Sequence, residues 1–162
     1  MASDPPHPPG QIPLATLKEW AESADPSLHY LAFHTAFAHP DTVPGLDERR
    51  RLEICIGFLQ AALAGAYGET LPDGPYVFAH TVLSWLRQLA RSDQTGDGPA
   101  LAALLAMLER LARNGDGATR EVIVLGVLEH AFEAPQTKDL FRGWKDDPTL
   151  APLYREAVRL ST

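Results

Sequence analysis

A chain of 162 residues, 45% of them apolar, is long enough to bury a hydrophobic core and too apolar to be disordered throughout. Its formal net charge of −7 disfavours a nucleic-acid binder, which needs a basic stripe to displace counterions from phosphates, and would steer a basic partner toward the surface. The lone cysteine, Cys55, excludes an internal disulfide and a thiolate metal cluster, and no apolar run approaches the ~20 residues needed to cross a bilayer.

Four prolines and a glycine among residues 1–11 predict a flexible N-terminal arm, without the basic-then-apolar order of a signal peptide. The expected setting is the cytoplasm. From residue 12 to 162 a single all-α domain is expected. Leu14, Leu17 and Trp20 recur at helical spacing in the first segment. Asp25 and Pro26 supply an N-cap and first turn for a second helix that ends before Pro40. A long third helix opens with the charged residues Asp47 to Arg51 and carries Ile56, Leu59 and Leu63 on one stripe. The arginines Arg49, Arg50 and Arg51 read as a solvated face, and Cys55 as a buried, inert thiol.

Three Asp-Gly pairs then punctuate the chain, at Asp73, Asp97 and Asp116, with starts 24 and 19 residues apart. An acidic side chain ahead of a helix accepts its orphan N–H groups, glycine permits the tight approach, and a following proline is preset for the first turn. Each pair therefore predicts one helix start. The first helix carries Phe78, Val82, Trp85, Leu86 and Leu89; the second carries Leu101, Leu104, Leu105, Leu108 and Leu111; the third carries Val122, Leu125, Leu128 and Phe132. Arg91 and Arg113 close the first two, where a cation complements the negative end of the dipole.

The third of these segments, VIVLGVL at 122–128, is apolar around its whole circumference, which predicts a helix enclosed by others. Gly126 at its centre predicts a close backbone approach by a neighbour; the β-branched residues leave a strand as the alternative. Beyond it, Leu140, Phe141 and Trp144 form a short stripe, and Asp147-Pro148 leads to a last helix with Leu150, Leu153, Tyr154, Val158 and Leu160. The class is all-α: an antiparallel array of about eight helices, either a HEAT/armadillo-like stack, whose repeat-like helices fill 73–160, or an orthogonal bundle.

A search for chemistry yields little. His29, His34 and His39 are spaced by five, a ~140° turn per step, so they share no helix face. His80 has no nucleophile or carboxylate placed locally to complete a constellation. The glycine-rich turns lack the Gly-Lys-Ser/Thr ending of a phosphate loop and the alternating oxygen ligands of a calcium loop. No catalytic residue, metal, cofactor or small-molecule ligand is expected, and neither nucleic acid nor membrane is an expected partner. What remains is an acidic surface made of Asp116, Glu121, Glu129, Glu133, Asp139, Asp146 and Asp147, read either as a solvated face or as a docking surface for a basic protein.

The stretch LLAMLERLARNGDGATREVIVLGVLEHAF resembles a family of small, uncharacterised bacterial helical proteins, some described as immunity proteins of polymorphic-toxin systems. The likeness lies in Gly115-Asp116, the hydrophobic helix Val122 to Leu128, the pair Leu128-Glu129, and LAPLYREAVRL at the end, and it covers roughly residues 73–160. The resemblance implies a non-enzymatic protein that sterically neutralises a cognate toxin. The alternatives are a HEAT-like adaptor, or a small helical enzyme built from His80 with Glu129 or Asp116.

Overall fold

The computed structural model describes residues 10–68, 73–92 and 98–162. The predicted arm, residues 1–11, lies outside the described residues except for Gly10 and Gln11, as does Asp97 of the second Asp-Gly pair. The described residues are helical with no strand, as the sequence predicts. None of their helices is long and apolar enough to cross a membrane. The chain divides into two compact units, Met1–Tyr67 and Gly68–Thr162, and the division falls just ahead of the first Asp-Gly helix.

In the N-terminal unit, α1 (Leu14–Glu22) packs on α2 (Pro26–Ala38), and α2 on α3 (Glu48–Leu63). Local chemistry sets the starts. The Asp25 carboxylate accepts from Ser27 N–H at 2.9 Å, with Pro26 in the first turn, and the Asp47 carboxylate accepts from Arg50 N–H at 2.9 Å. Leu17, Ala32 and Val43 form one apolar cluster, with Ile12, Trp20 and Ile54 against it. A second is aromatic: Phe33 stacks on Phe58 with centroids 4.0 Å apart, and Tyr67 tilts against Phe58 at 5.1 Å.

The buried stripe of α3 is Cys55, Phe58 and Leu59. Ile56 and Leu63, expected inside, are half-buried, because α3 is apolar at so many consecutive positions that several phases fit the pattern equally. Cys55 is fully buried, and burial pushes its thiol far above the ordinary range, away from the reactive thiolate. The expected result is that a thiol reagent such as dithionitrobenzoate leaves the folded protein unlabelled and titrates one thiol in denaturant; rapid labelling of the folded chain contradicts this burial.

The C-terminal unit is built on α4 (Gly74–Ser92), α5 (Pro99–Asn114) and a continuous helix, α6, over residues 117–131. A short α7 (Pro135–Asp139), a 3₁₀ turn (Arg142–Asp146) and α8 (Ala151–Leu160) complete it. Asp116 caps α6 as predicted, accepting from Thr119 N–H at 2.9 Å and from the Thr119 hydroxyl at 2.8 Å. Asp73 works differently: its backbone carbonyl accepts from Tyr76 and Val77 N–H, both at 2.9 Å. Asp147 caps the turn one step before α8, accepting from Thr149 and Leu150 N–H.

The segment Val122–Leu128 is a helix, and it is wound as a π-helix: Glu129 N–H reaches back five residues to the Val124 carbonyl. Six of its seven residues are buried, Leu125 being the exception, and its main neighbours are α4 and α8. The close approach predicted at Gly126 is present, since a Cβ placed there would lie 2.4 Å from the Ala79 Cβ of α4.

Helix C-termini are closed by a device that the sequence reading missed. Arg51 donates to the Ala36 carbonyl at the end of α2, Arg120 to the Ala112 and Arg113 carbonyls at the end of α5, and Arg87 to the His130 carbonyl at the end of α6. In each case a guanidinium from outside the helix meets its negative end. Arg51 therefore leaves the solvated face expected for it: it is half-buried and lies over the Phe37 ring, while Arg49 and Arg50 stay near Glu53 and Asp47. Arg113 lies in the last turn of α5 as predicted, and its guanidinium is also held by the carboxylates of Glu109 and Asp147.

Candidate partner-binding surface

Past its first turn, α6 reaches solvent at few positions. Glu121 is exposed and Glu129 and His130 are partly so, whereas the residues between, apart from Leu125, are buried. A helix enclosed this closely can present carboxylates along its wet edge in a fixed backbone frame. Neither Glu121 nor Glu129 has an ion-pair or hydrogen-bond partner among the described residues. Glu133, just beyond the helix, is 55% exposed at its side chain, with one oxygen 2.9 Å from His130 Nδ1 and the other 3.7 Å from Arg87. Hydrogen bonding from His130 holds its carboxyl below the usual range, with Arg87 adding to the effect.

The other predicted carboxylates divide by what already occupies them. Asp116 is committed to the α6 cap, and the Thr119 backbone N–H, then the Thr119 hydroxyl, draw its carboxyl below the ordinary 3.8. Asp147 is committed twice. It forms a two-point pair with Arg113, through Nη1 at 3.1 Å and Nη2 at 2.5 Å, and it caps the turn that follows. Glu109 completes this cluster from one turn earlier on α5, at 2.8 Å from Arg113. Asp139 sits 3.9 Å from Arg142 and is largely exposed. Asp146 is exposed and has no partner among the described residues. The seven predicted residues thus yield three uncommitted carboxylates, Glu121, Glu129 and Asp146, and two that are lightly held, Glu133 and Asp139.

The Arg113–Asp147 pair links α5 to the C-terminal segment, and its sign with pH is fixed. The Asp147 carboxyl is depressed below 3.8, first by its hydrogen bond from Arg113. The unfolded chain therefore binds the proton first, so the stabilisation is complete above roughly pH 4 and is lost as pH falls through the lowered value. A thermal unfolding midpoint that is flat down to about pH 4 and falls below it is expected, with Asp147→Asn lowering the plateau and flattening the fall. An acid limb unchanged in Asp147→Asn assigns that limb to other carboxylates.

His80 is exposed, and its ring lies 6.3 Å from that of His130. No described contact joins it to Glu129 or Asp116, so the constellation considered from sequence is not assembled. The N-terminal unit holds a cleft of about 520 Å³ floored by Leu17, Ile54 and Gly57 and edged by Lys18, Glu22 and His29. His29 is tied down within it: Nδ1 lies 3.0 Å from the Tyr67 hydroxyl. Burial lowers the His29 pKa against the opposing pull of the Ala21 backbone, and raises that of Tyr67 to about 12. The Tyr67–His29 hydrogen bond is a structural latch between α2 and the end of the unit. Among the described residues, no group of three or more histidine, cysteine or carboxylate side chains could hold a metal ion.

No protein-family model, no curated protein and no solved structure matches the chain.

Proposed function

We propose that the chain is a non-enzymatic protein-binding domain, and within that class a bacterial immunity protein that covers the catalytic cleft of a cognate toxin with a basic surface. The observation that carries this reading is the wet edge of α6. A helix whose Val122–Leu128 segment is almost wholly buried offers Glu121 and Glu129 without internal counter-charges, continued by the exposed Glu133. Carboxylates that already have cation partners gain little from a new one, whereas uncommitted ones on a rigid frame can pair with arginine or lysine at low ordering cost. The field of a chain with net charge −7 adds long-range attraction for a basic target and raises the rate of encounter.

The test is protection. An immunity gene stands beside the gene of its toxin, so co-expression with each product of the adjacent genes should restore growth against one of them. Glu121→Lys with Glu129→Lys should weaken that protection by roughly tenfold or more at the level of binding, since like charges then face one another. Absence of protection against every neighbouring product contradicts the proposal.

A further inference from the structure

The cations of the C-terminal unit point to a second site. Most of its arginines are occupied: Arg87 with Glu133 and the His130 carbonyl, Arg113 with Glu109 and Asp147, Arg120 with two carbonyls, Arg142 with Asp139, and Arg159 with Glu156. Lys138, Lys145 and Arg155 have no carboxylate partner among the described residues, and they line one concavity of about 380 Å³ together with Tyr154 and Val158. In a chain with seven more acidic than basic residues, three cations without carboxylate partners share one hollow.

Three separate elements bring them there. Lys138 comes from α7, Lys145 from the 3₁₀ turn, and Tyr154, Arg155 and Val158 from α8. Both lysines are steered by aromatic faces: Lys138 Nζ lies 5.8 Å from the Phe132 ring centroid and Lys145 Nζ 5.5 Å from that of Tyr154. A cation over a ring is attracted without being neutralised, so it keeps its full charge for a ligand and has no ion pair to break. Each lysine is followed by an aspartate, Asp139 and Asp146, but neither lines the hollow, and Asp139 is turned to Arg142. The Tyr154 ring is buried, yet its hydroxyl makes no hydrogen bond to a described residue, which leaves a donor at the wall.

We propose that this hollow binds an organic phosphate monoester. A dianion answers three converging positive charges better than a monocarboxylate does, and the planar fork of Arg155 matches two phosphoryl oxygens at once. The volume exceeds that of a bare phosphate, and Val158 with the edge of Tyr154 supplies an apolar wall for the body of the ester. The proposal is independent of the acidic edge of α6 and does not rest on the toxin-binding reading.

Phenyl phosphate, inorganic phosphate and benzoate are the probes, titrated into the full-length protein and followed by two-dimensional amide and Val158 methyl resonances. The expected result is saturable binding of phenyl phosphate, with inorganic phosphate and benzoate each weaker by about tenfold or more, a difference of about 1.4 kcal/mol. Lys145→Gln and Arg155→Gln should each weaken phenyl phosphate by roughly tenfold, as expected for a lost charge-assisted contact. Arg110→Gln, an exposed cation outside the hollow, should leave binding unchanged, and all three variants should keep the native far-ultraviolet dichroism. Absence of saturation at millimolar phenyl phosphate, equal affinity for the three probes, or equal weakening by Arg110→Gln overturns the proposal.

Discussion

Replacing Phe58 by alanine should cost the N-terminal unit about 3–5 kcal/mol, the range for removing a fully buried phenyl ring. Phe58 is completely buried and stands at the centre of an aromatic stack. Phe33 lies parallel to it at 4.0 Å, Tyr67 tilts against it at 5.1 Å, and Tyr30 closes the group at 6.1 Å. The ring is thus wedged between α2, α3 and the residue that latches His29, and the backbone around it cannot collapse into the void without moving two helices. A unit of this size has little stability to lose, since a whole domain commonly has only about 5–15 kcal/mol. Amide exchange should therefore show loss of protection throughout α2 and α3 in Phe58→Ala, with Phe58→Leu much milder. A loss below about 1 kcal/mol would mean that the stack is not the core of this unit.

The second large effect is expected at Gly126. Intrinsic propensity predicts that alanine stabilises a helix interior by about 1 kcal/mol over glycine. The structure predicts the reverse sign here. The new methyl would lie 2.4 Å from the Ala79 Cβ, and a Cβ is fixed to its backbone, so no side-chain rotation relieves the overlap. Tyr76 stands 3.5 Å away on the same side and blocks a sideways shift. The π-wound segment and α4 must separate, and overpacking of this kind costs typically about 1–3 kcal/mol. Gly126→Ala should lower the chemical-denaturation midpoint of the C-terminal unit, and Gly126→Val should lower it further. Ala79→Gly should restore part of the loss, because the two methyls compete for one space and their effects cannot be additive. A stabilised Gly126→Ala protein would show that the helices do not meet at this point.

How far these features could be read from the sequence depends on how far apart the interacting groups lie. Caps are local, so Asp25 and Asp116 could be assigned from type and position alone, and the helix over Val122–Leu128 with its contact glycine followed from an apolar run interrupted once. The π winding could not, because it answers to the α4 and α8 surfaces that enclose the segment, and nothing inside seven apolar residues encodes them. The phase of α3 was ambiguous for a related reason: with Leu52, Ile54, Cys55, Ile56, Phe58 and Leu59 nearly consecutive, only the partner decides that Cys55 and Phe58 face inward.

The candidate surface shows the same limit. Its acidic residues were visible as a group, but their availability was not. Asp147 is consumed by Arg113, 34 residues away in the chain, and Glu133 is approached by Arg87 from α4. The arginines that close helix ends carry no sequence signature, because each acts on a helix other than its own. The basic hollow was likewise hidden, since Lys138, Lys145 and Arg155 follow no helical period and meet only when α7, the 3₁₀ turn and α8 fold together.

The proposed partner binding is tested most directly by association kinetics with whichever neighbouring-gene product the co-expression experiment identifies. If the wet edge of α6 makes the contact, the association rate falls steeply as salt rises, and Glu121→Lys with Glu129→Lys lowers it by about tenfold or more at low salt, leaving the fold intact. A rate that ignores both salt and the charge reversal would contradict it.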